Sequence, residues 1–300
     1  MGPVRLAVLA LLLPAATAVT AQAVFEDHTV VAFDSPEAWA MNYVGAATLM
    51  SAFGQTPDLA PGRWAASVEL GHIPRLDEKQ QQVGFSGTKA EDLNKSPVFG
   101  RARGWLGLPG GFVAELGWTP PLTIDGLQPQ DLFAAALSRR LVDRPAWSLS
   151  LRLHGQHGSA HGDITCPREL AGVQDLQVNP FGCGAPSDDR IELNHYGADA
   201  TLGFGAPASP WRGHFGLGRT RVEPRVQVDA LSFGTIDRSR LIAGGWLTHA
   251  AVGVRRDLDA HWSLAGEVLY VPLEVVRDPT AGERDNDAFW SLRLMLRYVR

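Results

Sequence analysis

After its first two dozen residues the chain lacks any apolar run of about 18 residues, so no helix in it reads as a membrane span. Lysine is scarce and arginine carries most of the positive charge. With 27 basic against 32 acidic residues, the formal net charge is −5 and no basic face dominates. A nucleic-acid binder needs a basic footprint, so that class is excluded. Cysteine is nearly absent: only Cys166 and Cys183 occur, both in one polar segment. In an oxidising compartment such a pair points to one loop-closing disulfide. The alternative is a two-cysteine metal site completed by His161. The helical period is also missing from almost everything after residue 60.

What is present begins with a leader. Arg5 supplies a short positive region, Leu6–Val19 an apolar core, and Ala21–Gln22–Ala23 a small-x-small cleavage site. Residues 1–23 therefore read as a secretory signal peptide, and the protein as exported. The remainder is rich in glycine, with 32 residues, and in tryptophan, with 9, which suits β structure better than a helical bundle.

The dominant period is two, the strand period. In "WSLSLRLHG" the residues Trp147, Leu149, Leu151 and Leu153 share one face, and Ser148, Ser150, Arg152 and His154 the other. Segments of this kind recur about Val68, Arg101, Leu116, Leu137, Leu151, Ala200, Phe215, Val252, Val268 and Leu294. Their connections alternate in length. Pro109–Gly111, Val142–Ala146, Pro207–Pro210 and Asp257–His261 are short. Pro74–Pro97, Pro120–Pro129, Ser159–Arg190, Glu223–Arg240 and Glu274–Ala288 are longer, polar and turn-rich. Trp147, Trp211 and Trp262 open strands after short turns, while Trp118, Tyr196 and Tyr270 sit near the opposite ends. Two aromatic bands one strand apart are the interfacial girdles of a transmembrane barrel.

On these residues the chain resembles a Gram-negative outer-membrane β-barrel protein, a broad class rather than one family. The resemblance implies an all-β, antiparallel, up-and-down barrel in the cell outer membrane, with long loops extracellular and both termini periplasmic. It also implies contact with outer-membrane lipid and lipopolysaccharide, and passage through the barrel-assembly machinery. Ten strands are expected over residues 61–300, with twelve as the alternative. Residues 24–60 break the pattern. Ser35, Pro36 and Glu37 form a helix start, and this segment is expected as a luminal plug, a periplasmic piece or an extra strand.

With the apolar faces turned to lipid, the inward face carries Glu69, Arg101, Arg103, Glu115, Arg140, Arg152, His154, His195, Asp199, Arg212, His214, His249, Arg255, Glu267, Arg293 and Arg297. Buried charges of both signs must pair, and about ten strands leave little free interior. Three functions follow. The first is a narrow pore or transport component for small polar or anionic solutes, since positive residues outnumber negative ones. The second is a surface-exposed structural or recognition barrel with a salt-bridge-filled lumen. The third is an outer-membrane hydrolase using the His154, His195 and Asp199 neighbourhood. Ser148, Ser150 and Ser291 lie in no nucleophile signature, so no catalytic residue is assigned. The run of His154, His157 and His161 with Asp163 is not assigned as a metal site, because strand alternation points His154 and His157 to opposite faces. No cofactor is expected.

Overall fold

The computed structural model describes residues 22–206, 208–278, 280 and 282–300. Nearly all of the expected signal peptide, and Pro207 of one short turn, lie outside the described residues. The wall is a closed antiparallel barrel of ten strands. They are β1 (Trp64–His72), β2 (Val98–Gly107), β3 (Phe112–Trp118), β4 (Gln128–Asp143), β5 (Trp147–Gly162), β6 (His195–Phe204), β7 (Trp211–Val222), β8 (Gly245–Asp257), β9 (Trp262–Val271) and β10 (Phe289–Val299). Each pairs with its sequence neighbour, and β10 closes onto β1 from Arg293 opposite Gly71 to Val299 opposite Ala65. Closure leaves the wall no free edge in the apolar layer, where an unpaired backbone group is costly.

Alternation follows the sequence reading. Val68, Leu116, Leu153 and Leu294 stand exposed on the outside, while Glu69, Arg152 and Arg293 are buried inside. The girdles are built from ring contacts. Trp262 and Trp64 both meet Tyr298 at the short-turn end, with centroids 5.1 and 5.8 Å apart. At the long-loop end Tyr270 meets Trp290 at 4.4 Å. The tight turn Pro109–Gly111 is made by glycine, with Gly110 at φ 77°, where a side chain is strained.

One expectation is corrected: the long connection expected from Ser159 begins later, because β5 continues to Gly162. β4 and β5 each run for 16 residues, longer than the roughly 9–11 that cross a bilayer. Their excess rises past the long-loop end. There Asp189–Glu192 pairs with Ser159–Gly162, and the sheet continues through Arg225–Gln227 and Arg240–Ile242 to His28–Val30. A second small sheet joins Val24–Phe25, Thr235–Asp237 and Ala230–Ser232. The long loops thus form an ordered cap, pinned by the Cys166–Cys183 disulfide (Cα–Cα 5.6 Å) and its bridge to Ser232.

The first described residues belong to this cap, whereas Arg300 is held at the short-turn end by Trp64. The first described residues and Arg300 therefore lie at opposite ends of the barrel. The reason is the path of residues 34–62, which descend through the lumen.

Helix α1 (Pro36–Thr48) starts as its sequence asks: Ser35 Oγ accepts from the Ala38 amide at 3.2 Å, with Pro36 in the first turn. Trp39, Tyr43, Ala46 and Ala47 pack against Leu247, Leu269, Val271 and Phe289. Ala38 and Met41 pack against Phe99, Leu132, Ile191 and Leu193. Apolar contact on both sides explains the lack of a helical stripe in its sequence, since a helix buried all round needs none. Below α1 the chain continues extended, and Phe53 and Leu59 pack with Trp105, Val113 and Met295 near the short turns.

Candidate functional site: the luminal plug and its arginine cradle

The last turn of a helix leaves carbonyls without partners and carries partial negative charge. α1 ends inside the barrel, away from water, so those carbonyls must be satisfied by the wall. Arg293 donates to the carbonyls of Leu49, Ala46 and Ala47, the last two at 3.2 Å each. Arg101 donates to Thr48 O at 2.7 Å and to Gln156 Oε1 at 2.6 Å. The extended stretch below is held in the same way. Arg152 reaches Met50 O at 3.0 Å, Arg103 reaches Ser51 O at 2.8 Å, and Arg140 reaches Thr56 O at 2.9 Å. The Ser51 hydroxyl donates to Glu267, and Ser148 to Gln55 Oε1 at 2.8 Å.

Arg293, Arg103 and Arg152 are also neutralised by carboxylates of neighbouring strands, Arg140 pairs with Asp143 of its own strand at 2.7 Å, and Arg101 keeps two guanidinium nitrogens without hydrogen-bond partners. Glu69 accepts from Arg103 at 2.7 Å and lies 3.5 Å from Arg293. Glu115 bridges Arg103 and Arg152, each at 3.0 Å. Asp199 pairs with Arg152 at 2.8 Å, and Glu267 with His214 at 3.0 Å. The pairs form one continuous ladder, Arg293–Glu69–Arg103–Glu115–Arg152–Asp199. A buried guanidinium suits this task because its planar fork serves a carbonyl and a carboxylate at once.

The structure places every candidate lumen residue on the inner face, but not in one site. The ladder and His154, His195, His214 and His249 occupy the middle and the long-loop half. His154 and His195 meet edge to face at 5.9 Å, and His154 and His249 at 6.2 Å. His154 Nε2 is 3.7 Å from Asp199. Both ring nitrogens of His154 lack hydrogen-bond partners, as do His195 Nε2 and His249 Nδ1. Among the described residues no group of three or more His, Cys, Asp or Glu side chains is placed to hold a metal. Arg212, Arg255 and Arg297 stand apart near the short turns. Arg212 donates to Gly205 O at 3.3 Å, Arg255 pairs with Asp257 at 2.9 Å, and Arg297 lies 5.8 Å from the Trp105 ring. His157 is turned outward on β5, and His161 lies 3.5 Å from Asp188 in the cap.

Sequence reasoning missed Gln156, although it shares the inward parity of Arg152 and His154. It also missed Thr48, Ser51, Gln55 and Thr56, which no period marks. Beside the extended part of the plug, below α1, lie two small cavities, each about 10 Å³. One is lined by Ser51, Asp199, His214 and Glu267, the other by Thr56, Glu115, Ser138 and Arg152. A single water needs about 10–15 Å³, so neither carries a water path.

No protein-family model matches the chain, and no curated protein matches it. Solved structures similar to it include Neisserial surface protein A, at 12% identity and TM-score 0.31, over 78% of this chain and 96% of that one. The outer membrane protein OprG from Pseudomonas aeruginosa matches at 10% identity and TM-score 0.31, over 83% and 99%. The Pseudomonas putida toluene transporter TodX matches at 9% and 0.32, over 93% and 99%. The likeness is to barrels of this class and goes no further. The outer-membrane β-barrel architecture rests on the closed wall, its apolar exterior and its two girdles.

Proposed function

We propose that the protein is a plugged outer-membrane barrel that acts at its long-loop surface, a structural or recognition barrel whose luminal ladder seats the plug. The observation that carries this reading is the set of arginine bonds to the plug backbone from Ala46 to Thr56. Those guanidiniums would have to attract solute anions in a pore, yet plug carbonyls take all of them and carboxylates also hold Arg293, Arg103, Arg152 and Arg140. The ordered, disulfide-pinned cap favours an outward surface built to persist. In this reading the long loops and the first described residues face the outside, the short turns face the periplasm, and outer-membrane lipid and lipopolysaccharide surround the wall. The barrel-assembly machinery would insert it.

Planar-bilayer recording tests the proposal. The mature protein should give no steady conductance, and deletion of residues 24–56 should open a stable one. A steady conductance in the intact protein, with ion selectivity that shifts on Arg101→Gln or Arg152→Gln, would establish the narrow anion pathway instead.

A further inference from the structure

Toward the long-loop end some strand ends run on past their neighbours, and one such gap lies between β8 and β9. β8 begins at Gly245, but its pairing with β9 starts only at Ala250 opposite Tyr270. β9 ends at Val271 because Pro272 follows, and proline has no amide to continue the ladder. The chain then turns off, and Glu274–Val275 pairs with Asp285–Asn286. Residues 245–249 keep their partners on β7 and have none on the β9 side. Between them and the departing chain lies a cavity of about 420 Å³, within the ordinary range for small-molecule sites.

Its lining is mixed. Phe33 and Trp246 form aromatic sides, and Phe33 sits where a Cβ at Gly245 would clash, 2.5 Å from its ring atoms. One face of Trp246 is taken by Arg219, 5.0 Å from its centroid. Arg284 joins Asp34 at 3.1 Å and Glu274 at 3.2 Å on the lining. Thr248 adds a hydroxyl on the β8 side. Asn42 of α1 also lines the cavity; it is 3% exposed, and its carboxamide oxygen, shielded behind the lining, has no hydrogen-bond partner and reaches the cavity by a rotation of the side chain. A buried unpaired amide is destabilising, a cost that an apolar residue at this helix position would avoid.

We infer that this slit between β8 and β9 binds a saccharide, through the Asn42 carboxamide, the aromatic sides and the Asp34–Arg284–Glu274 rim. A sugar ring offers an apolar C–H face to an aromatic ring and hydroxyls that both donate and accept. An apolar ligand would leave Asn42 unpaired. An anion would meet two carboxylates against one guanidinium. The saccharide is either free or the headgroup of a lipid entering from the outer membrane face. The inference deepens the recognition reading by naming a ligand class, and its failure is separable, because conductance tests the plug independently.

Saturation-transfer NMR on the protein in lauryldimethylamine oxide micelles supplies the test, with maltose and dodecyl maltoside as probes. Saturable transfer to the maltose protons from both probes assigns the sugar itself; from dodecyl maltoside alone, a lipid-linked sugar. In either case Asn42→Leu and Trp246→Ala should each weaken binding at least tenfold, with heat-modifiable gel mobility unchanged. Absence of saturable binding by both probes overturns the inference. So does wild-type binding by Asn42→Leu and Trp246→Ala in samples that keep the mobility shift.

Discussion

Arg293→Leu tests the cradle directly. Arg293 is completely buried, serves three carbonyls at the end of α1 and lies against Glu69. Leucine fills part of the space but supplies no donor. The Leu49 and Ala47 carbonyls lose their guanidinium, the Ala46 carbonyl keeps only the Leu49 amide, and Glu69 keeps only Arg103 as an ion-pair partner. Removing one member of a buried charge pair costs about 3–5 kcal/mol. The surviving Arg103 contact argues for the lower end, about 3 kcal/mol, or roughly a hundredfold in the seating equilibrium of the plug. The assay is amide hydrogen exchange by mass spectrometry. Peptides covering residues 46–56 should exchange about a hundredfold faster, while β9 and β10 keep their protection. Arg293→Lys should recover part of the loss, because an ammonium reaches one carbonyl but not a fork of three. If protection of residues 46–56 changes less than about threefold in a correctly folded barrel, the cradle does not hold the plug.

Replacing Cys166 and Cys183 by alanine should lower cap stability by about 3 kcal/mol in the chain-entropy model; protease cutting between residues 163 and 190 should become rapid, with the wall intact. Burial pushes the Glu91 carboxyl up to about 8 despite Lys89 at 2.6 Å. Its folded pKa lies above its unfolded one, so its contribution is full below about pH 4 and is lost as pH rises through 8. Cap protection factors, which correct for the intrinsic pH dependence of amide exchange, should therefore fall between about pH 5 and 8, and Glu91→Gln should flatten that dependence. Ser35→Ala removes the cap of α1 at a cost of about 1 kcal/mol, read as faster exchange at the first-turn amides, Ala38 foremost.

Much of the wall is legible without coordinates. Arg152 and His154 sit two apart on a strand whose other face is Leu151 and Leu153, and any sheet that buries one face must put them together. Ser35–Pro36–Glu37 marks the helix start through its own backbone bonds. The disulfide is readable because only two cysteines exist. The cap is less legible: His28–Val30 is three residues long, and its partner Arg240–Ile242 lies far along the chain. Short strands of that kind have no period to detect. The slit was hidden as well, since Pro272 marks the end of a strand without saying that its neighbour runs on.

The sequence by itself determined the barrel, which residues face inward, the cysteine pair and the existence of α1. These are local consequences of side-chain alternation and capping. Tertiary structure alone decided that residues 34–62 thread the lumen, and that the arginine-rich interior holds a polypeptide. The physical reason is that the partners of those arginines are backbone carbonyls, identical at every residue. A carbonyl becomes a specific acceptor only when the chain path leaves it buried at a helix end, beside a guanidinium from a strand far away in sequence.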